Sequence, residues 1–249
     1  MKTIENIVYN ALGQTLDVHL PEGDARAAFV YFHGGGLEAG SKDKNAPYHR
    51  YLTERGIAVA DVNYRMYPAH KCPDFIEDAA DAVKWAVERM PLYAKTDKIF
   101  VGGSSAGGYL SMMLCFDPKY LLKRGIHPND LSGYVHDAGQ PTTHFNVLRE
   151  RGVDSRRLIA DEYAPIFHIG AYGNAASPMT FIVSDDDMEN RYEQTMLVLS
   201  TLRHFRYDFS KISHTVMHGK HCSYVGAVDA AGESVFGKLV FDFIERVLF

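Results

Sequence analysis

Apolar runs alternate with amphipathic stretches along most of the chain. Residues 27–33 (AAFVYFH), 57–63 (IAVADVN) and 98–102 (KIFVG) are short, β-branched or aromatic, and bounded by polar residues or glycine. They predict buried strands. Residues 132–137, 179–184 and 212–217 predict three more, and the first twenty residues predict a leading hairpin that turns near Gly13. Between these runs lie helical patterns. Residues 73–90 place Ile76, Ala79, Val83, Trp85, Ala86, Val87 and Met90 in a 3.6-residue stripe behind a proline-initiated first turn. Asp74, Glu77 and Asp78 stand where the helix dipole favours negative charge. Residues 192–205 and 233–247 carry similar stripes. Strands alternating with helices predict the α/β class, as one domain over residues 1–249 with a mostly parallel central sheet and helices on both faces. Sites in such sheets lie beyond the carboxyl ends of the strands. Residues 140–174 break the rhythm: the stretch is Arg-rich and interrupted by Pro141 and Pro165. It predicts a small lid-like insertion over the active-site edge of the sheet.

Composition narrows the function classes. A chain of 249 residues, 46% hydrophobic and 23% charged, is ordinary globular material, long enough to bury a sizeable core without staples. The net charge of −5 weighs against a nucleic-acid partner. Cys72, Cys115 and Cys222 form neither a disulfide framework nor a zinc motif, and suit a reducing compartment. The opening MKTIENIVYN has no apolar core of a signal peptide, so a cytoplasmic location is expected. Residues 99–116 lack charge over a length that would span a bilayer, but they hold four glycines and three serines, most of them bunched within residues 102–108. That is a turn between two apolar elements, and no membrane segment is expected.

The same turn carries the sharpest chemical signal. Gly103-Ser104-Ser105-Ala106-Gly107 is a G-x-S-x-G elbow between an apolar strand and an apolar helix. The turn is tight enough that glycine is needed at 103 and 107, and Ser105 at its tip becomes the candidate nucleophile. A phosphate-binding turn is the alternative, but neither G-x-x-x-x-G-K-[ST] nor G-x-G-x-x-G is present. Upstream, His33-Gly34-Gly35-Gly36 directly follows a strand. Glycines let amides approach a developing oxyanion without a Cβ in the way, so Gly35 and Gly36, with the amide of Ala106, are the candidate oxyanion hole. Gln140, His144 and Phe145 open the insertion just past a strand end and are the candidate substrate contacts. The insertion's arginines (Arg149, Arg151, Arg156, Arg157) are matched by Glu150, Asp154, Asp161 and Glu162, which reads as a solvated face. His218 and His221 form an H-x-x-H, too little for a metal site without supporting carboxylates, so no metal is expected.

The elbow and the HGGG turn together resemble the α/β-hydrolase fold in its HGGG-bearing esterase/lipase branch. Asn63-Tyr64-Arg65 with Pro68 and the acidic helix after Pro73 is similar to the "YR…P" stretch of that branch. The resemblance implies a single-domain α/β-hydrolase with a Ser-acid-His triad in that chain order. Asp187, a few residues past the strand at 179–184, matches the acid, with Asp185 as runner-up. His221, on the loop after the last strand, matches the base in preference to His218. Cys222 directly after the histidine is unusual for the branch, and Ser104 stands where many members carry an acid. The cap helices of hormone-sensitive-lipase-like members are not seen. The chain is therefore closer to compact bacterial carboxylesterases, including feruloyl and acetylxylan esterase-like enzymes. The expected activity is hydrolysis of short-acyl or carbohydrate-linked aryl or acetyl esters, with no cofactor and a small-molecule ester as partner. An arylformamidase, another amidase, a peptidase of the same fold and a catalytically silent binding module are the alternatives. The apolar last helix and terminal Phe249 are compatible with a homodimer.

Overall fold

A computed structural model describes residues 1–43, 45–171 and 177–249. Eight strands form one sheet: β1 (Lys2–Val8), β2 (Thr15–Leu20), β3 (Ala27–Phe32), β4 (Ile57–Val62), β5 (Ile99–Ser104), β6 (Gly133–Asp137), β7 (Met179–Asp186) and β8 (Ile212–Lys220). Their order is β1-β2-β4-β3-β5-β6-β7-β8. β1 and β2 are antiparallel to their neighbours, and every pair from β4 to β8 is parallel.

The central strands are apolar on both sides because both faces are covered. In β3, Ala28, Val30 and Phe32 point to one face, while Ala27, Phe29 and Tyr31 point to the other. The first face packs under α2 (Asp74–Ala94), α3 (Ala106–Phe116), the short α4 (Lys119–Leu122) and α6 (Arg191–His204). The second packs under α1 (Pro47–Thr53) and α7 (Val235–Leu248). A short α5 (Phe145–Glu150) lies between β6 and β7. Among the described residues no helix is long and apolar enough to cross a membrane.

The differences from the sequence pattern are local. β5 runs two residues further than the apolar run, to Ser104, so the strand delivers its chain directly to the elbow. β8 runs three residues further, to Lys220, which puts His218 inside a strand and His221 just past its end. Pro73 is the residue before α2 rather than its first helical position, and the helix passes Pro91 in its last turn to end at a left-handed Lys95 (φ 54°). α1 and α4 are too short to show a stripe.

The insertion does two jobs. Its first half stands at the carboxyl ends of the strands, where α5 touches the glycine turn after β3. Its second half folds back onto α3, where Tyr109 Oη donates to the Tyr163 carbonyl (2.8 Å), and onto its own start, where the Ile166 amide donates to the Pro141 carbonyl (3.0 Å). The last three positions of the 140–174 stretch, 172–174, lie outside the described residues.

Candidate active site

β5 and α3 meet at Ser105, whose φ of 56° and ψ of −113° are strained for a residue with a side chain. Such backbone costs on the order of 1–3 kcal/mol and persists only where neighbours enforce it. Here they do. A Cβ on Gly107 would fall 1.8 Å from the Phe32 carbonyl oxygen, and one on Gly103 would fall 2.5 Å from the same atom. Strand β3, elbow and helix are therefore in backbone contact, which only glycine permits. The Ser105 amide donates to the Asp137 carbonyl at the end of β6 (2.8 Å).

The loop after β7 brings Asp187 to the site. Its carboxylate is buried and accepts from the amides of Met188 (2.7 Å) and Ser184 (3.2 Å). His221 Nδ1 lies 2.5 Å from Asp187 Oδ1, and His221 Nε2 lies 2.8 Å from Ser105 Oγ. Burial pushes the Asp187 carboxyl up, but the histidine and the two amides outweigh it and hold the group below the usual carboxylate range. An ionised Asp187 fixes the proton on Nδ1 and leaves Nε2 as acceptor for the serine hydroxyl. Asp185 and His218 pair with each other instead: His218 Nδ1 is 2.5 Å from Asp185 Oδ2, with the imidazole 98% exposed.

The glycine turn faces the serine. Gly35 (φ 112°) and Gly36 (φ 65°) adopt backbone that favours glycine, and a Cβ on Gly35 would fall 1.9 Å from the Ala39 carbonyl oxygen. No hydrogen bond occupies the amides of Gly35 or Gly36 among the described residues. The Ala106 amide opens α3, where first-turn donors have no helical partner. The turn is held from two sides. Tyr64 Oη donates to the His33 carbonyl (2.8 Å) and its ring stacks on the His33 imidazole. Arg65 grips buried Asp78 of α2 through Nε (2.8 Å) and Nη2 (2.9 Å), so the "YR" stretch is scaffolding for the turn. On the other side, Asn146 Nδ2 of α5 donates to the Gly36 carbonyl (2.9 Å) and Arg149 pairs with Glu38 (2.6 Å).

The three expected substrate contacts divide. Phe145 stands against Gly36, its Cζ 3.0 Å from where a Cβ there would sit. Gln140 faces the same side, but its amide nitrogen donates to Thr142 Oγ1 and the Thr143 carbonyl (3.0 Å each), and its oxygen accepts from the Phe145 amide (3.3 Å). It organises the loop. His144 is buried, caps α5 by accepting from the Asn146 amide (3.2 Å), and burial holds its imidazole neutral.

Sequence reasoning missed a buried carboxylate beneath Ser105. Asp137 Oδ2 accepts from Ser104 Oγ (2.5 Å), which itself accepts from Tyr31 Oη (3.0 Å). Asp137 Oδ1 accepts from Tyr224 Oη, on the loop that carries His221. Ser104, beside Ser105, thus reaches a carboxylate supplied by the neighbouring strand. Burial raises the Asp137 carboxyl to about 6, with the Ser104 and Tyr224 hydroxyls partly offsetting that rise. The only sequence signal was an aspartate at the carboxyl end of a strand. Cys222 packs against the site with Sγ 3.7 Å from His221 Nε2, and burial pushes its thiol far up, away from the thiolate.

His218 and His221 each face a different aspartate, so they do not converge as a metal pair. Buried His19, His49 and Asp61 have donor atoms within 4.8 Å of one another. Their rings stack at 3.8 Å and 18°, so their in-plane lone pairs run side by side, and His49 Nε2 already meets Asp61 Oδ2 at 2.9 Å. Within the trio only His49 and Asp61 are hydrogen-bonded; His19 Nδ1 meets Thr3 Oγ1 (3.0 Å) instead, and His19 Nε2, His49 Nδ1 and Asp61 Oδ1 have no partner among the described residues.

This sheet order, with a strained serine between β5 and α3, defines an α/β-hydrolase-fold protein similar to the serine esterases of that class. A family model for the alpha/beta hydrolase fold matches residues 29–134. The carboxylic ester hydrolase LipN of Mycobacterium tuberculosis is 36% identical over 96 residues, covering 37% of this chain and 26% of the relative. The ethyl acetate hydrolase of Pseudomonas putida is 37% identical over 110 residues, covering 41% and 35%. The chain thus spans about a quarter to a third of the length of these relatives. Among solved structures, a truncated carbohydrate esterase from gut microbiota superposes over 100% of this chain and 97% of its own, with a TM-score of 0.78 at 18% identity.

Proposed function

We propose that this chain is a serine carboxylesterase of Ser105, His221 and Asp187, acting on short-acyl or carbohydrate-linked aryl and acetyl esters through an acyl-enzyme. The observation that carries the reading is the single imidazole that touches both partners, Nδ1 to Asp187 and Nε2 to Ser105. His221 takes the hydroxyl proton as Ser105 Oγ attacks the ester carbonyl. The free amides of Gly35, Gly36 and Ala106 receive the oxyanion, each donor being worth about 3 kcal/mol of barrier. The imidazolium, steadied by Asp187, returns its proton to the leaving alcohol, and water repeats the cycle on the acyl-enzyme. The names of the matched relatives, a carboxylic ester hydrolase and an ethyl acetate hydrolase, support the reaction class. The carbohydrate esterase neighbour supports the fold and motivates the choice of sugar-linked test esters.

Hydrolysis of p-nitrophenyl esters from acetate to decanoate, with methyl ferulate and acetylated xylan alongside, tests it. Short esters are expected to turn over fastest, and Ser105→Ala is expected to lower kcat by about 10⁴ or more. Wild-type rates surviving in that variant would remove Ser105 from the mechanism. Turnover of an aryl formamide with no turnover of any ester would move the activity to amides.

A further inference from the structure

A cavity adjoins the site. It holds about 300 Å³ and is lined by Gln140, Phe145, Arg157, Met188, Arg191 and Gln194, among others. Its walls flank the reacting groups: Phe145 stands against Gly36 of the glycine turn, and Met188 donates its amide to Asp187. Arg191 donates Nη1 to the Ala138 carbonyl (2.7 Å), one residue past the strand that supports the elbow.

The charges in this cavity are unbalanced. Three of the insertion's four arginines are matched, as Arg149–Glu38 (2.6 Å), Arg151–Asp161 (2.7 Å) and Arg156–Asp154 (2.7 Å). Arg157 forms no ion pair among the described residues, and it lines the cavity. Arg191 is only 3% exposed, meets no carboxylate at ion-pair distance among the described residues, and its Nε has no acceptor. A guanidinium buried without a carboxylate partner is costly unless something else answers its charge. Arg156 also lines the cavity but is neutralised by Asp154, and Glu189 contributes one carboxylate close to Arg156. Two guanidiniums thus remain without a carboxylate at ion-pair distance, beside apolar Phe145 and Met188, although Asp154 acts on Arg157 and Asp187 on Arg191 from further away. Gln194 accepts from Thr142 Oγ1 through its oxygen, which leaves its amide nitrogen as a further donor.

We infer that this cavity binds a carboxylate carried by the ester substrate, on its acyl or its alcohol side, through Arg157 with Arg191 behind it. The inference rests on the esterase reading above and narrows its substrate class to anionic esters. A carboxylate suits the planar donor fork of arginine, and Phe145 and Met188 offer apolar contact beside it.

Two matched substrate pairs separate the arms. On the acyl side, the p-nitrophenyl monoester of glutaric acid is compared with its neutral methyl diester. On the alcohol side, 4-acetoxybenzoate is compared with its methyl ester. The readout is the ratio of kcat/KM, anionic over neutral, at low salt. One arm is expected to favour the anion at least roughly tenfold, the scale of one charge-assisted hydrogen bond. Arg157→Ala should bring that ratio near unity, Arg157→Lys should keep part of it, and 0.5 M NaCl should reduce it. A ratio below threefold in both arms, or one that Arg157→Ala leaves in place, overturns the inference. If no ester of any kind is hydrolysed, the esterase reading fails instead. Calorimetric titration of glutarate and of 4-hydroxybenzoate into wild type and Arg157→Ala then decides the cavity alone. Binding of either that the variant loses upholds it, and binding of neither, or equal binding to both proteins, overturns it.

Discussion

Asp185–His218 and Asp187–His221 are two aspartate–histidine pairs built from the same two stretches of chain, each with 2.5 Å between a carboxylate oxygen and Nδ1. Their surroundings differ in every other respect. Asp185 follows Ser184 at the point where the β7–β8 register shifts, and His218 sits within β8, so the pair lies across the sheet edge in solvent. Asp187 and His221 lie just past the ends of those strands, where the chain turns inward over the elbow. The Asp187 carboxylate is enclosed, and His221 Nε2 meets a hydroxyl rather than water. An Asp–His pair is thus chemically inert or poised according to where the second ring nitrogen points, and two or three residues of strand length decide that.

The largest expected effect breaks the two pairs apart. His221→Ala should lower kcat for a short p-nitrophenyl ester by about 10⁴ or more, and Asp187→Asn by about 10⁴. His218→Ala should stay within about twofold of wild type, as an exposed side chain away from the chemistry does. Steady-state kinetics on the three purified variants checks this. Equal losses in His218→Ala and His221→Ala would mean that the outer pair takes part in turnover.

A third carboxylate sharpens the contrast, because Asp137 is fully enclosed yet bonded to hydroxyls, not to a histidine. Its carboxyl is raised to about 6 from an ordinary 3.8, so the native state holds the proton more tightly than the unfolded chain. Stability from this group is therefore greatest below the unfolded value and is lost as pH rises from about 4 through 6. Asp137→Asn cannot ionise. Whatever constant cost its altered hydrogen bonds impose, its stability relative to wild type should improve by about 1–3 kcal/mol between pH 4.5 and 7.5. Urea unfolding of both proteins at the two pH values measures the difference of differences, and a value that does not move with pH would show that Asp137 does not titrate in this range.

The sheet was legible because its strands are short apolar runs with polar or glycine ends, and the elbow because its glycines answer a steric demand visible in the motif alone. The candidate acid and histidine are chosen by chain order in the resembling family, which narrows twelve histidines to two. His221 is preferred to His218 because it lies farther past the apolar run at 212–217; in the structure β8 runs on to Lys220, with His218 inside the strand and His221 just past its end. The Tyr31–Ser104–Asp137–Tyr224 chain was not legible. Its members are separated by 73, 33 and 87 positions, and only the adjacency of strands β3, β5 and β6, with the loop after β8, brings them together. The insertion's arginines looked balanced by count, but pairing is a matter of geometry, and Arg157 is what the count concealed; Arg191, on α6, lay outside the count altogether.

The smallest effect belongs to the outer pair itself. The Asp185 carboxylate accepts from the Gly219 amide (2.9 Å) as well as from His218, and these hydrogen bonds hold it below the usual carboxylate range. A depressed carboxyl contributes stability above its unfolded value and loses it as pH falls through the folded one, but solvent screens this pair. The melting curve of Asp185→Asn at pH 7 should therefore overlay that of wild type. The link to Gly219 leaves one route to the chemistry, since that glycine (φ 114°) stands two residues before His221. If β8 and the Asp187 bond alone aim the imidazole, kcat/KM for Asp185→Asn stays within about twofold of wild type. A loss of tenfold or more with an unchanged melting curve would show that the outer aspartate, through the Gly219 amide, helps to aim the inner histidine.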